Sequence, residues 1–221
     1  CALPIWGCVF CAIAALCIFL SSNYDREKRR YLILMESFAS LLLLMDAMAH
    51  IFSGYPGVPG SVMVRISSFL VFLLSDVVLL CFHIYVCVYL FSKRERRTLK
   101  RVKAGYVIAA AEVAFVVISQ FTHWHYYIDG DNCYHRAPLY IMSILLSAAG
   151  LLIDLTLLLQ YKKRVSRKLL FSMLSCIVLP AVAAAVQVFW YGISLIDFSV
   201  GISMIIMFIV TMTELNQEMY Q

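Results

Sequence analysis

Ser92–Lys103 reads SKRERRTLKRVK, and seven of its twelve residues are Lys or Arg. Long apolar runs flank it on both sides. Short segments this rich in Lys and Arg resist translocation and stay on the cytoplasmic face of a membrane. Fixing the side of this loop fixes the side of every other one. The chain then reads as seven membrane-spanning helices, with the N-terminus outside and the C-terminus in the cytoplasm.

Composition supports this. The 221 residues are 63% hydrophobic, with a mean hydropathy of +0.87. A soluble domain is about 45–50% apolar, so the excess calls for lipid. A span needs about 20 mostly apolar residues, and seven such runs use nearly the whole chain. They are predicted at Ala2–Leu20, Tyr31–Ser53, Val62–Phe91, Ala104–Phe121, Pro138–Tyr161, Leu169–Phe189 and Ile193–Thr213. The segments after spans one, three and five hold 16 of the 18 Lys and Arg. Only Arg65 and Arg136 remain on the other side. The expected fold is therefore an all-α, multi-pass bundle in the cytoplasmic membrane, with the lipid bilayer as its first partner.

The net charge of +5 is not arranged for nucleic acid, since the basic residues sit in short inter-span loops where orientation and anionic headgroups account for them. Cys1, Cys8, Cys11, Cys17, Cys81, Cys87 and Cys176 lie in apolar runs, where a thiol acts as a small hydrophobe. Cys133 alone is a loop cysteine, with no evident partner. Because the chain begins at Cys1 without Met, it is expected to be part of a longer protein. GYPGVPG after span two is read as a turn that stops the helix, and ELNQEMYQ at the end is polar but helix-compatible.

Ionisable groups inside a membrane are costly, by at least about 2.5–3.5 kcal/mol at mid-bilayer, and usually face the bundle interior. Glu36, Asp46 and His50 fall within an arc of roughly 80° on span two. Arg65, Asp76 and His83 fall within about 20° of one line on span three. Glu112, Asp154 and Asp197 add one each to spans four, five and seven. At about 1.5 Å rise per residue, Asp46, His50, Gln187 and Asp197 lie in the outer half. Asp76 and Glu112 lie near the middle, and Glu36, His83 and Asp154 toward the cytoplasm. Asp46, His50, Arg65, Gln187, Trp190 and Asp197 are the candidate ligand-binding residues of an outer cavity. Glu36, Asp76, His83, Glu112 and Asp154 form a candidate intramembrane polar network. For Asp46 and His50 an interhelical hydrogen bond, ligand recognition and a proton or metal site all stay open. For Asp76 and His83 the choice is between helix-to-helix packing and a protonation switch.

The loop FTHWHYYIDGDNCYHRAP carries His123, His125, Asp129, Asp131, Cys133 and His135, which could be metal ligands, but the spacing matches no metal signature. A capping loop over the outer cavity is expected instead. Span seven has no Schiff-base lysine, and no phosphate loop, zinc motif or nucleophile elbow occurs. No cofactor and no enzymatic activity are expected of this segment.

Three stretches carry a family likeness: GYPGVPGSVMVRISSFLVFLLSD, YYIDGDNCYHRAPLY and YGISLIDFSVGISMIIMF. Together they resemble the seven-helix input domain of multidomain signalling proteins from gut Firmicutes. In that family a cytoplasmic output module follows the last helix, commonly a GGDEF diguanylate cyclase and sometimes a histidine kinase. The resemblance implies a sensor domain over residues 1–213, with 214–221 beginning a linker helix to an output domain absent from this sequence. A sensor reading then expects an extracellular or membrane-dissolved small ligand to enter between the helices of the outer cavity, with a homodimer as a possible partner arrangement. Eukaryotic G-protein-coupled receptors share only the topology, since span three ends in YLFSKRERR rather than Asp-Arg-Tyr and span seven lacks Asn-Pro-x-x-Tyr. The competing readings are a transporter or proton-linked channel using Asp76, His83, Glu112 and Asp154, and a passive anchor. Inverted repeats and broken spans, which mark many transporters, are not evident.

Overall fold

The computed structural model describes residues 2–21, 25–189 and 194–219. Seven of its helices are long and apolar enough to cross a membrane, so the chain is a multi-pass, all-α membrane protein. The spans are α1 (Ala2–Leu20), α2 (Arg26–Phe52), α3 (Gly57–Leu90), α5 (Lys100–Thr122), α6 (Tyr140–Gln160), α7 (Arg167–Phe189) and α8 (Leu195–Met219). A short helix α4 (Lys93–Thr98) lies between α3 and α5, and two strands, β1 (Tyr126–Ile128) and β2 (Tyr134–Arg136), lie between α5 and α6.

Several helices outrun their apolar cores. α2 begins at Arg26 because the Asp25 carboxylate caps it, accepting from the amides of Glu27 at 3.0 Å and Lys28 at 3.1 Å. α5 starts at Lys100, α7 at Arg167, and α8 runs on through the polar tail to Met219. Lys, Arg, Glu and Gln are good helix formers, so a helix continues past the point where hydrocarbon would end. SKRERRTLKRVK is likewise not a loop. Ser92 and Glu95 form a capping box, with Glu95 Oε2 accepting from the Ser92 amide at 2.8 Å, which starts α4. GYPGVPG also does more than stop a helix, since α3 begins inside it at Gly57, with Pro56 as N-cap.

The helices form a ring: α1 packs on α2, α2 on α3, α3 on α5, α5 on α6, α6 on α7 and α7 on α8, and α8 returns to α1 and α2. α3 also packs on α6 and is the central helix. Near its C-terminus it is buried nearly all round, at Cys81, Phe82, His83, Tyr85, Val86, Cys87, Val88 and Leu90. The closure of α1 and α8 on α2 depends on two glycines. A Cβ at Gly7 would come 2.9 Å from Leu43 Cδ1, and one at Gly201 would come 3.0 Å from the same atom. Small residues at such crossings let helices approach closely in a lipid setting. The core around Leu43 includes Met35, Leu42, Phe82, Tyr85, Met173 and Met207. The outer surface carries exposed Trp6, Phe10, Phe19, Val107, Phe121, Leu145, Phe171 and Ile209, an apolar girdle that only lipid would cover without large cost.

The end of the bundle that holds the basic segments is tied laterally. Arg96 makes a bidentate pair with Glu27, at 3.0 and 3.1 Å, joining α4 to α2. Arg164 donates to the Leu90 carbonyl at 2.8 Å and to Glu95 at 3.2 Å. Lys28 lies 3.8 Å over the Tyr89 ring, and Ser166 hydrogen-bonds Glu214.

Candidate functional site

At the opposite end, β1 and β2 pair antiparallel, with Tyr127 opposite His135. The Asp129 carboxylate organises the turn between them, accepting from the amides of Asp131 at 3.0 Å and Cys133 at 2.9 Å and pairing with His135 at 2.7 Å. These bonds hold its carboxyl below the ordinary range, the Cys133 amide contributing most. Asn132 adopts the left-handed conformation, φ 59°, which Asn tolerates. Its side-chain amide donates to the Tyr55 carbonyl at 2.9 Å, and its own carbonyl accepts from the Gly54 amide at 3.1 Å. The hairpin is thereby pinned to the corner between α2 and α3. His125, at its base, is fully buried among Phe72, Phe115, Tyr126 and Tyr140, stacked on the last at 5.3 Å between ring centroids. Neither of its ring nitrogens has a hydrogen-bond partner among the described residues. Burial pushes its pKa down to about 4, so the ring is neutral.

Beneath the hairpin is a cavity of about 280 Å³. α2 supplies Asp46, Ala49 and His50, α3 supplies Ser68, Val71 and Phe72, and the hairpin supplies Cys133, Tyr134 and Arg136. Tyr140 of α6, Gln187 of α7, and Ser194 and Asp197 at the start of α8 complete the wall. Asp46 is 3% exposed and Asp197 8%. Asp46 Oδ1 accepts from Ser194 Oγ at 2.7 Å and lies 3.3 Å from His50 Nδ1. His50 is half-exposed, and its Nδ1 is also 2.9 Å from the Asp46 carbonyl. Asp46 Oδ2 has no hydrogen-bond partner among the described residues. Asp197 accepts from Ser75 Oγ at 3.3 Å and sits in the first turn of α8, where the helix dipole favours an anion. Gln187 braces the rim: its carbonyl accepts from Arg136 Nη1 at 3.1 Å, and its Oε1 accepts from the Ile196 amide at 3.0 Å. The Arg136 guanidinium also lies 4.6 Å over the Tyr140 ring.

Of the six residues expected in this cavity, Asp46, His50, Gln187 and Asp197 line it. Trp190 lies outside the described residues. Arg65 is a correction, because it is exposed and not part of the lining. It shares a helical face with buried Asp76, yet α3 is covered on one side only near its N-terminus, where Val64, Ser67, Ser68 and Val71 make the packed face. Sequence reasoning did not include Arg136, Phe72, Tyr140 or Ser194 in the site. Arg136 had a usable signal as one of two basic residues away from the basic end.

Of the remaining ionisable groups, His83, Glu112 and Asp154 line one small cavity and Asp76 lies close to Glu112, whereas Glu36 stands apart. His83 Nδ1 is 2.6 Å from Asp154 Oδ1, and Nε2 is 3.1 Å from the Val102 carbonyl. Both ring nitrogens face oxygens, and the Cys87 thiol lies 3.7 Å from Nε2, so the ring is held on every polar atom. A cavity of about 20 Å³ adjoins it, lined by Gly105, Glu112, Ser147 and Gly150 among others, enough for about one water. Glu112 Oε1 and Asp76 Oδ2 are buried without hydrogen-bond partners among the described residues. Glu36 belongs elsewhere: it is buried beside Cys11 of α1 and Cys176 of α7. No group of three or more His, Cys, Asp and Glu side chains among the described residues could hold a metal ion.

No family model matches the chain, and no curated protein or solved structure matches it.

Proposed function

We propose that this chain is a membrane sensor that binds a small ligand in the hairpin-covered cavity and passes the event along its helices to a cytoplasmic signalling module, in keeping with the family resemblance. One observation carries this reading. Side chains from α2, α3, α6, α7, α8 and the hairpin meet in a single cavity of about 280 Å³, so one occupant would touch five spans at once. A ligand moves such an assembly only through its difference in affinity for two helix arrangements. α8 supports the relay, because it begins at the cavity with Asp197 and ends at the basic side of the bundle. The lopsided charge distribution supports an outward-facing hairpin and a cytoplasmic basic end.

The test is a small-molecule screen by thermal shift on the purified chain, repeated on Asp46→Ala and Asp197→Ala. Compounds that stabilise the wild type should lose their effect on both variants. Equal stabilisation of all three proteins would remove the cavity from the function.

A proton-linked transporter is the second reading, favoured by the buried His83–Asp154 pair and by Asp76 Oδ2 and Glu112 Oε1, buried oxygens without a hydrogen-bond partner among the described residues. Flux through proteoliposomes that vanishes in Asp76→Asn would decide for it. The cavity and the His83 site share no lining residue, which weighs against a continuous path.

A further inference from the structure

The hairpin-covered cavity is balanced in charge but short of hydrogen-bond donors. Two acidic side chains, Asp46 and Asp197, and two basic ones, His50 and Arg136, line it. Each base already has a partner. His50 Nδ1 lies 3.3 Å from Asp46 Oδ1 and 2.9 Å from the Asp46 carbonyl. Arg136 donates to the Gln187 carbonyl and lies over the Tyr140 ring. The acids are less well served. Ser194 and His50 both approach Oδ1 of Asp46, which leaves Oδ2 buried without a hydrogen-bond partner among the described residues. Asp197, equally buried, accepts from Ser75 Oγ at 3.3 Å, long for an O–H···O bond. A buried carboxyl oxygen that lacks a donor is costly.

A ligand with a net charge meets its own sign here. An anion faces Asp46 and Asp197, and a cation faces Arg136 and, once protonated, His50. Because His50 stands beside Asp46, the acids lack donors rather than counter-charge. Neutral O–H groups supply donors without adding charge, and an O–H bond to a carboxylate is short and strong. The wall between the acids includes Phe72 and Tyr140, whose electron-rich ring faces suit polarised C–H groups. At about 280 Å³ the cavity lies at the lower end of small-molecule sites. We infer that it takes a neutral polyhydroxylated ring of monosaccharide size, whose hydroxyl groups donate to Asp46 Oδ2 and Asp197 and whose C–H faces lie on Phe72 and Tyr140. The inference rests on the sensor reading for its purpose and on the cavity alone for its chemistry.

The experiment measures the thermal shift of the purified chain in a polyoxyethylene detergent, which carries no sugar headgroup. The probes are glucose, galactose and mannose, with the hexosamine and the hexuronate of each as cationic and anionic analogues of the same ring. At least one hexose should give a shift that saturates with concentration, and its two charged analogues should bind about tenfold or more weakly. The isosteric Asp46→Asn should weaken that hexose by a similar factor, the effect of losing one charge-assisted contact. Asp197→Asn carries the same arm should Asp46→Asn fail to fold, and every variant must keep the wild-type elution profile. His50→Gln removes one base, so it should narrow the gap between hexosamine and hexose by about threefold or more. No saturable shift with any hexose would overturn the proposal, as would a charged analogue that binds as well as its hexose. An unchanged affinity in the Asn variant, or an unchanged gap in His50→Gln, would overturn it too. Hydrogen exchange at Lys93–Lys103 and Glu214–Met219 separates this inference from the sensor reading. Hexose binding with no exchange change at that basic end would sink the sensor reading and leave the ligand class standing.

Discussion

Gly105 lies flat against the ring of His83, so that a Cβ added to it would come 2.2 Å from Cε1 and 2.4 Å from Nε2. The ring cannot retreat, because Asp154 and the Val102 carbonyl hold its two nitrogens. Gly105→Ala should therefore destabilise the chain by about 3 kcal/mol, at the upper end of overpacking effects. Gly130→Ala, where nothing lies within 4 Å, should stay within about 0.5 kcal/mol. Unfolding in mixed micelles compares them, and equal stabilities would mean that His83 has room to move.

Removing one partner of the His83–Asp154 pair should hurt more than removing both. Asp154→Leu alone leaves a buried imidazole without its acceptor, a loss of about 3–5 kcal/mol. The double variant His83→Leu/Asp154→Leu should recover a good part of that, since an apolar replacement for a buried ion pair is often neutral. A double variant less stable than Asp154→Leu would show that the imidazole is held mainly by the Val102 carbonyl.

His125 predicts an acid-sensitive hairpin. Its pKa falls from the ordinary 6.5 to about 4 on burial, so between those values the unfolded chain binds a proton that the folded chain does not. This contribution is complete above about pH 6.5 and is lost as pH falls toward 4, by at most about 3 kcal/mol. His125→Phe keeps the ring among Phe72, Phe115 and Tyr140 and should flatten the melting temperature between about pH 6.5 and pH 4.5 relative to wild type. Parallel curves for the two proteins would count against a neutral buried imidazole.

The hairpin and the basic end should lie on opposite sides of the membrane. In a Cys133→Ser background, a membrane-impermeant maleimide added to intact cells should label Gly130→Cys and leave Lys163→Cys unlabelled until the cells are opened. The reverse pattern would invert the topology and, with it, the direction of sensing.

The spans were legible because lipid-facing surface must be apolar over about 20 residues, and this leaves an imprint in composition alone. Ala2–Leu20 is read to the residue for that reason. Helix ends were less legible: Asp25, Ser92 and Glu95 act through caps, which depend on single side chains rather than on hydropathy. The hairpin was missed although Asp129–Gly130 between Tyr127–Ile128 and Tyr134 is a turn signal, because its strands are only three residues long. Arg65 misled because helical periodicity gives the face of a residue but not how far its neighbours extend. The tight seat of His83 on Gly105 leaves no periodic trace at all, since it arises where two helices cross.

α8 runs from Leu195 to Met219 without a break, a rod of about 37 Å. A reporter spliced behind Met219 would inherit the azimuth of this rod, turning by about 100° for each residue inserted or deleted at the joint. Inserting seven residues would bring it back to within about 20°. Signal output from such fusions should therefore rise and fall with joint length in a helical rhythm, and it is that phase, more than the number of residues, that an engineer of this chain would have to set.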